Sequence, residues 1–178
     1  MIELDHSSLT EVVREYEHLK LYDMSPQDLV FEERVKLNCF YCKNYNVSWK
    51  CPPRIPALDY QKIVSEYEHG VLARLELPFT EENFPEIRTR STNDLHRALL
   101  KLERFLWDHN FPTALSFIGG SCKLCKNGCG KDRCNNPCLA RMSMEAAGIN
   151  VVKSTEKYGI PVVFPPNGTL VRVGMLLW

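Results

Sequence analysis

The chain has 178 residues, enough for one domain with a proper core and marginal for two. Hydrophobic residues make up 44%, which excludes a disordered class, and 22 basic against 22 acidic residues disfavour a globally basic nucleic-acid binder. No run of about 18 apolar residues could span a bilayer, and the charged start MIELDH lacks the apolar stretch of a signal peptide, so a soluble cytoplasmic protein is expected.

In chain order, Ser8-Leu9-Thr10-Glu11 matches a capping box, and Val12, Val13, Tyr16 and Leu19 predict a helix from there to about Lys20. Pro26 after Ser25 opens a second, short helix that ends before Phe31, making residues 1–33 a helical segment. Residues 34–38 read as extended and lead into a loop over 39–56, where Pro52, Pro53 and Pro56 forbid a regular helix. Asp59 caps a helix to about His69, with Ile63, Val64 and Tyr67 inward and Gly70 as its C′ residue. Residues 71–77 alternate as a strand that Pro78 ends.

A charged loop over 78–90 precedes a long helix from Ser91 to about Asn110, whose apolar stripe is Leu95, Ala98, Leu99, Leu102, Phe105 and Leu106. Residues 113–118 read as the next strand, so 71–118 is a strand–helix–strand unit with parallel or split βαβ pairing. Further on, 143–147 is a short helix stopped by Gly148, 150–152 a brief strand, 154–159 a turn or short helix, and 169–177 a final strand. The fold class is α/β (α+β): a single domain over 1–178 with a small mixed sheet and cysteine-rich metal-binding loops at 39–56 and 119–141.

All eight cysteines fall in those loops. Cys39, Cys42 and Cys51 are spaced C-x2-C-x8-C-P-P, and Cys122, Cys125, Cys129, Cys134 and Cys138 are spaced C-x2-C-x3-C-x4-C-x3-C. A loop has little interior for thiols to fill, and a reducing cytosol makes ligands a better reading than disulfides. Two [4Fe–4S] clusters need eight thiolates, and the chain supplies eight, but as three plus five. One cysteine of the second group must then cross to the first. If none crosses, a cluster on Cys39, Cys42 and Cys51 keeps an open iron, which is a Lewis acid and a redox centre. Zinc is the alternative cofactor: Cys39/Cys42 with Cys122/Cys125 could form paired knuckles, but the other four cysteines then lack one.

Gly119, Gly120, Gly128 and Gly130 would let backbone approach a cluster. Lys123, Lys126, Lys131, Arg133 and Arg141, against Asp132, would offset its negative charge, and the loop 123–133 would tune potential or dock a partner. Phe40, Tyr41, Tyr45 and Trp49 would shield a cluster from water. The histidines His6, His18, His69, His96 and His109 read as surface or capping residues, and Ser121 and Ser143 lack the partners of a serine nucleophile.

With these residues in view, the chain resembles a prokaryotic family of predicted metal-binding proteins, domain of unknown function 2284, frequent in anaerobes and methanogens. The resemblance rests on Cys39-Phe-Tyr-Cys42, Trp49-Lys-Cys51-Pro-Pro53 and Gly119-Gly-Ser-Cys122-Lys-Leu-Cys125. It extends to Cys129, Cys134, Pro137-Cys138 and Arg141-Met-Ser-Met-Glu145-Ala-Ala-Gly148, covering most of 34–178. It implies metal binding, with iron–sulfur the expected form, and no settled reaction.

Three functions follow as expectations. The first is an iron–sulfur protein with one or two [4Fe–4S] clusters, passing electrons to a redox partner protein or larger complex in an anaerobic redox or maturation system. The second is an enzyme with an open iron at Cys39, Cys42 and Cys51, acting on a small sulfur-containing substrate. The third is a zinc-stabilised adaptor that binds another protein. Neither nucleic acid nor a membrane is expected as a partner.

Overall fold

The final apolar run organises the molecule. Residues 170–177 carry large apolar side chains at both parities, so a strand there must have both faces covered. In the computed structural model, which describes residues 5–178, this strand sits inside a four-stranded sheet. We name the elements α1 (His6–Val12), β1 (Leu19–Met24), α2 (Glu33–Phe40), α3 (Tyr60–Ser65), β2 (Gly70–Pro78), α4 (Phe84–Asp108), β3 (Leu115–Phe117), α5 (Val151–Glu156) and β4 (Thr169–Leu177). A 3-10 turn, Pro26–Asp28, stands where the second short helix is expected. The residues Met1 to Leu4, part of the stretch from which the lack of a leader was read, lie outside the described residues.

The sheet order is β1-β2-β4-β3, and every hydrogen-bonded pair is antiparallel. Because β4 lies between β2 and β3, those two strands run in the same direction without pairing. This is the split form of the expected strand–helix–strand unit, with α4 as the crossover. The sheet is therefore antiparallel in all its ladders where a mixed sheet was expected.

Strand alternation sorts the core into two faces. Val71, Ala73, Leu75 and Leu77 of β2, with Leu170 and Leu176 of β4, meet Leu95, Ala98, Leu99, Leu102 and Leu106 of α4. Leu72, Val173, Met175 and Leu177 point the other way, onto Tyr60 and Val64 of α3 and onto Met144, Ile149 and Ile160. Burial at roughly 25 cal/mol per Å² makes these two faces the main source of stability.

Several local expectations are corrected. α1 ends at Val12, and its cap is Asp5, whose carboxylate accepts from the Ser8 amide, rather than Ser8 itself. Leu19 to Met24 is the edge strand β1, so residues 1–33 are not all helical. Tyr16 and Leu19 do pack on the core, but from a turn and a strand, which imitates a helical stripe in sequence. Residues 34–38 are in α2 and not extended.

α3 is shorter than expected, and Gly70 begins β2. Asp59 caps α3 as anticipated, accepting from the Lys62 amide at 3.0 Å. α4 starts at Phe84, inside the expected loop, with Pro85 in its first turn. Ser91 and Thr92, where the helix was expected to begin, are buried mid-helix and bond back to the Arg88 carbonyl. Residues 143–147 form a turn rather than a helix, and 150–152, expected as a strand, cap and open helix α5, which runs into the turn or short helix expected over 154–159.

Two isolated bridges bring the cysteine loops together. Ile118 pairs with Ser143 and closes the base of the second loop: Ile118 N–H donates to the Met142 carbonyl at 2.9 Å, and Met144 N–H to the Ile118 carbonyl at 3.0 Å. Phe31 pairs with Ile149, so α2 starts against the segment that leaves that loop. A Cβ at Gly148 would lie 2.7 Å from Lys36 Cε, which shows how closely α2 passes.

Candidate metal centre

Cys39 rides on the last turn of α2, and its thiol faces the Glu145 carbonyl at 3.9 Å. The chain then winds through successive tight turns: Tyr45 N–H reaches the Cys42 carbonyl, Cys51 N–H the Ser48 carbonyl, and Arg54 N–H the Cys51 carbonyl. Asn46 stands at φ 53°, and its N–H reaches the Pro52 carbonyl at 2.9 Å. These turns carry Cys42 and Cys51 back to Cys39. All three line one cavity of about 270 Å³, which Asn38, Tyr45, Gly120, Ser121, Ser143 and Glu145 complete. The three cysteines of the first group thus share one cavity wall.

The entry of the second loop is fixed by two glycines with different duties. A Cβ at Gly119 would stand 2.3 Å from the Val173 carbonyl oxygen, so this residue is small because β4 passes beside it. Gly120 has φ +77°, a conformation that favours glycine, and lines the three-thiol cavity. Gly119 therefore serves packing against the sheet rather than approach to a cluster.

Beyond them, Cys122, Cys125 and Cys134 are half-buried, while Cys129 and Cys138 are exposed. Cys125 Sγ accepts from Asn136 Nδ2 at 3.1 Å. Trp49 Nε1 donates to the Gly130 carbonyl at 2.7 Å, stitching the first loop to the second, and the Arg54 guanidinium sits 4.4 Å over the Trp49 ring. Among the described residues, no group of three or more His, Cys, Asp or Glu side chains is gathered tightly enough to hold a metal ion.

The other end of the second loop is clamped to α4. Glu103, 1% exposed, accepts from the backbone and hydroxyl of Ser116 and from Arg141 Nε and Nη2. Arg141 Nη1 also donates to the Cys138 carbonyl at 3.0 Å. Arg141 is thereby spoken for by Glu103, which corrects its assignment as a cation offsetting a cluster. His96 is corrected too: it is fully buried, with Nε2 3.0 Å from the Leu139 carbonyl, rather than a surface or capping residue. His109 does sit at a helix end, its Nδ1 2.7 Å from the Phe105 carbonyl, and His69 stacks on Trp178.

Among the expected basic residues, Lys126, Lys131 and Arg133 are exposed, as is Asp132. Lys123 instead turns inward, donating to Thr92 Oγ1 and to the Ser121 carbonyl. Burial, with Arg172 and Arg88 nearby, pulls its pKa down to about 8. Burial and Arg88 also lower Arg172, which Glu145 partly offsets. Neither Lys123 nor Arg172 has a carboxylate within 4.0 Å among the described residues. Of the aromatic residues expected to shield the site, Tyr45 lines the cavity and Trp49 joins the loops, while Tyr41 and Phe40 are exposed, Phe40 lying edge-on to Tyr45.

Burial raises the pKa of Cys39, with the charges of Glu145 and Cys42 adding to it. Burial raises Cys51 as well, against a hydrogen bond from Ser48 and with the charges of Cys42, Cys39 and Cys129. Cys122 rises for the same first reason, opposed by the Leu124 backbone and reinforced by Cys129, Cys134 and Cys125. Such thiols stay protonated unless a cation displaces the proton, which is what a thiolate ligand requires of its metal.

Residues 22–178 match the family of predicted metal-binding proteins, domain of unknown function 2284. The chain belongs to this family. No curated protein and no solved structure matches the chain. For a member of this family the donor chemistry is consistent: both loops present sulfur, and the one carboxylate in the cavity wall is Glu145. Sequence reasoning placed Lys123 beside the second group but missed Glu145 and Arg172 as parts of the site. Their signal was weak, because Arg172 is 34 residues from the nearest cysteine and reaches the site only through the β4 register.

No helix among the described residues is long and apolar enough to cross a membrane.

Proposed function

We propose that the protein is an iron–sulfur electron carrier with two four-iron clusters, one begun by Cys39, Cys42 and Cys51, the other held in the 122–138 loop. The observation that carries this reading is the three-thiol cavity, faced by a loop with five more thiols. Lys123 and Arg172 support it. Two half-buried cations without a carboxylate partner are costly alone, and a negatively charged cluster nearby would offset them.

When bound, such clusters take up and release one electron at a time. The chain's own residues hold and tune them. Asn136 donates to Cys125, Asn44 Nδ2 lies 3.7 Å from Cys42 Sγ, and the inward Lys123 favours the more reduced state electrostatically. The exposed cations Lys126, Lys131 and Arg133 supply a surface for an acidic redox partner.

A second reading is favoured by one observation. The cavity wall holds three thiols and no fourth, while Ser121, Ser143 and Glu145 leave polar groups around the remaining space. That lining suits an enzyme with one open iron and a small coordinating substrate, here of the sulfur-containing class.

Iron, acid-labile sulfide and zinc per chain, measured on anaerobically purified protein, test both. About eight iron and eight sulfide, with an EPR spectrum unmoved by added thiols or cyanide, is the expected result. A spectrum that moves on adding a small ligand supports the open iron. Zinc without iron or sulfide overturns both and leaves the zinc adaptor.

A further inference from the structure

We infer that Cys129 crosses from the second loop to complete the centre begun by Cys39, Cys42 and Cys51, leaving Cys122, Cys125, Cys134 and Cys138 for the other centre. The inference rests on the two-cluster reading above, which requires one thiol to cross.

The loops are joined beside this residue. Trp49, two positions before Cys51, donates its indole N–H to the carbonyl of Gly130, one position after Cys129, at 2.7 Å. Arg54 over the ring holds the indole in that pose. Just ahead, Gly128 N–H closes a turn on the Cys125 carbonyl, and Gly128 itself stands at φ +83°. The chain therefore turns between Cys125 and Cys129. Gly130 fixes the exit: a Cβ there would lie 2.2 Å from the Arg133 carbonyl oxygen and 2.5 Å from Asn135 Oδ1.

Two of the other four cysteines are tied to neighbouring side chains. Cys125 takes Asn136 at 3.1 Å, from within its own loop. The Cys138 carbonyl is gripped by Arg141, whose remaining nitrogens hold Glu103 on α4. Cys122 follows directly on the bend at Gly119–Ser121, at the entry of its own loop. Cys129 carries no such tie among the described residues. Its side chain is exposed, so it is free to swing toward a cluster seated on the other three.

The test uses the full chain, purified and reconstituted anaerobically, in two backgrounds. Cys39→Ala/Cys42→Ala removes the first centre and should retain about four iron per chain. Adding Cys129→Ala there should change neither iron content nor EPR spectrum. Cys122→Ala/Cys125→Ala removes the second centre, and adding Cys129→Ala there should free one iron of the remaining cluster. That cluster should then lose the iron on mild ferricyanide oxidation, giving a three-iron EPR signal, and should recover a four-iron spectrum when ferrous iron, dithionite as reductant and 2-mercaptoethanol as the replacement ligand are added. Cys138→Ala should behave in the opposite sense in both backgrounds.

Loss of iron from Cys129→Ala in the first background, or no effect in the second, overturns the assignment. If a double variant fails to fold, the single Cys129→Ala chain answers instead. The signal it alters should be the one that Cys51→Ala abolishes, and alteration of the other signal overturns the inference. Wild-type protein without iron and sulfide would sink the two-cluster reading itself, a result distinct from either outcome for Cys129.

Discussion

At the scale of single residues, the clamp beneath the second cysteine loop depends on a neutral histidine. His96 is fully buried, and its Nε2 must carry the proton to donate to the Leu139 carbonyl, which leaves Nδ1 as a buried acceptor with no partner among the described residues. Protonation would place a charged N–H there with nothing to receive it. Burial accordingly lowers the pKa from 6.5 to about 4; the Leu139 carbonyl and Glu103 pull it up, while Arg141 and Arg97 push it down. The unfolded chain binds this proton below about pH 6.5 and the folded chain only below about pH 4, so the stabilisation is full above 6.5 and falls as pH drops between those values. The size is about 3 kcal/mol at most, from 1.36 kcal/mol per pKa unit. Urea midpoints of metal-free protein at pH 7 and pH 4.5 should differ accordingly. In His96→Gln, whose amide can still donate to the carbonyl, much of that difference should vanish. An unchanged pH dependence in the variant would assign the acid sensitivity to other groups.

At the scale of elements, what was legible followed from strong patterns, and what was missed was decided by distant contacts. β2 and the stripe of α4 could be read from their periods, and β4 from an apolar run rich in Val and Leu that ends the chain. β1 was hidden because Tyr16 and Leu19 happen to continue a helical spacing across a turn. α2 was hidden because its helicity depends on the Phe31–Ile149 bridge, whose partners lie more than a hundred residues apart. The same holds for the site: the thiols could be listed from spacing, but their gathering depends on where α2 and β4 are packed. Gly119 shows the link. With 2.3 Å between its would-be Cβ and the Val173 carbonyl, Gly119→Ala must move either β4 or the loop entry, and a backbone atom yields poorly. We expect about 1–3 kcal/mol of lost stability and, because Gly120 and Ser121 line the cavity next door, less iron retained per chain. Thermal melts with iron analysis check this; a variant that melts like wild type with full iron would show that the loop has slack.

At the scale of the whole molecule, the metal loops and the core are nearly separate structures. The two hydrophobic faces of the sheet are built mainly by α1, α3, α4, the four strands and residues 142–149; of the metal loops, only Cys122 and Ile55 pack against them, and the buried Cys51 lies outside both. Residues 41–56 and 121–138 are held by turns, by Trp49 on Gly130 and by the Glu103–Arg141 clamp, with few buried apolar contacts of their own. Small metal-dependent domains unfold without their metal because they have no other core. This chain has one. Chelation under reducing conditions should therefore leave a cooperatively folded protein with its far-UV circular dichroism largely intact, and local opening should concentrate in the loops. Hydrogen exchange measured with and without metal is the direct check. Amides of β2, β4 and α4 should keep their protection in both states, while those of 41–56 and 121–138 should lose protection when the metal leaves. A global loss of protection on chelation would mean that the thiols fold the domain as well as equip it. The separation of core from site would then have to be abandoned.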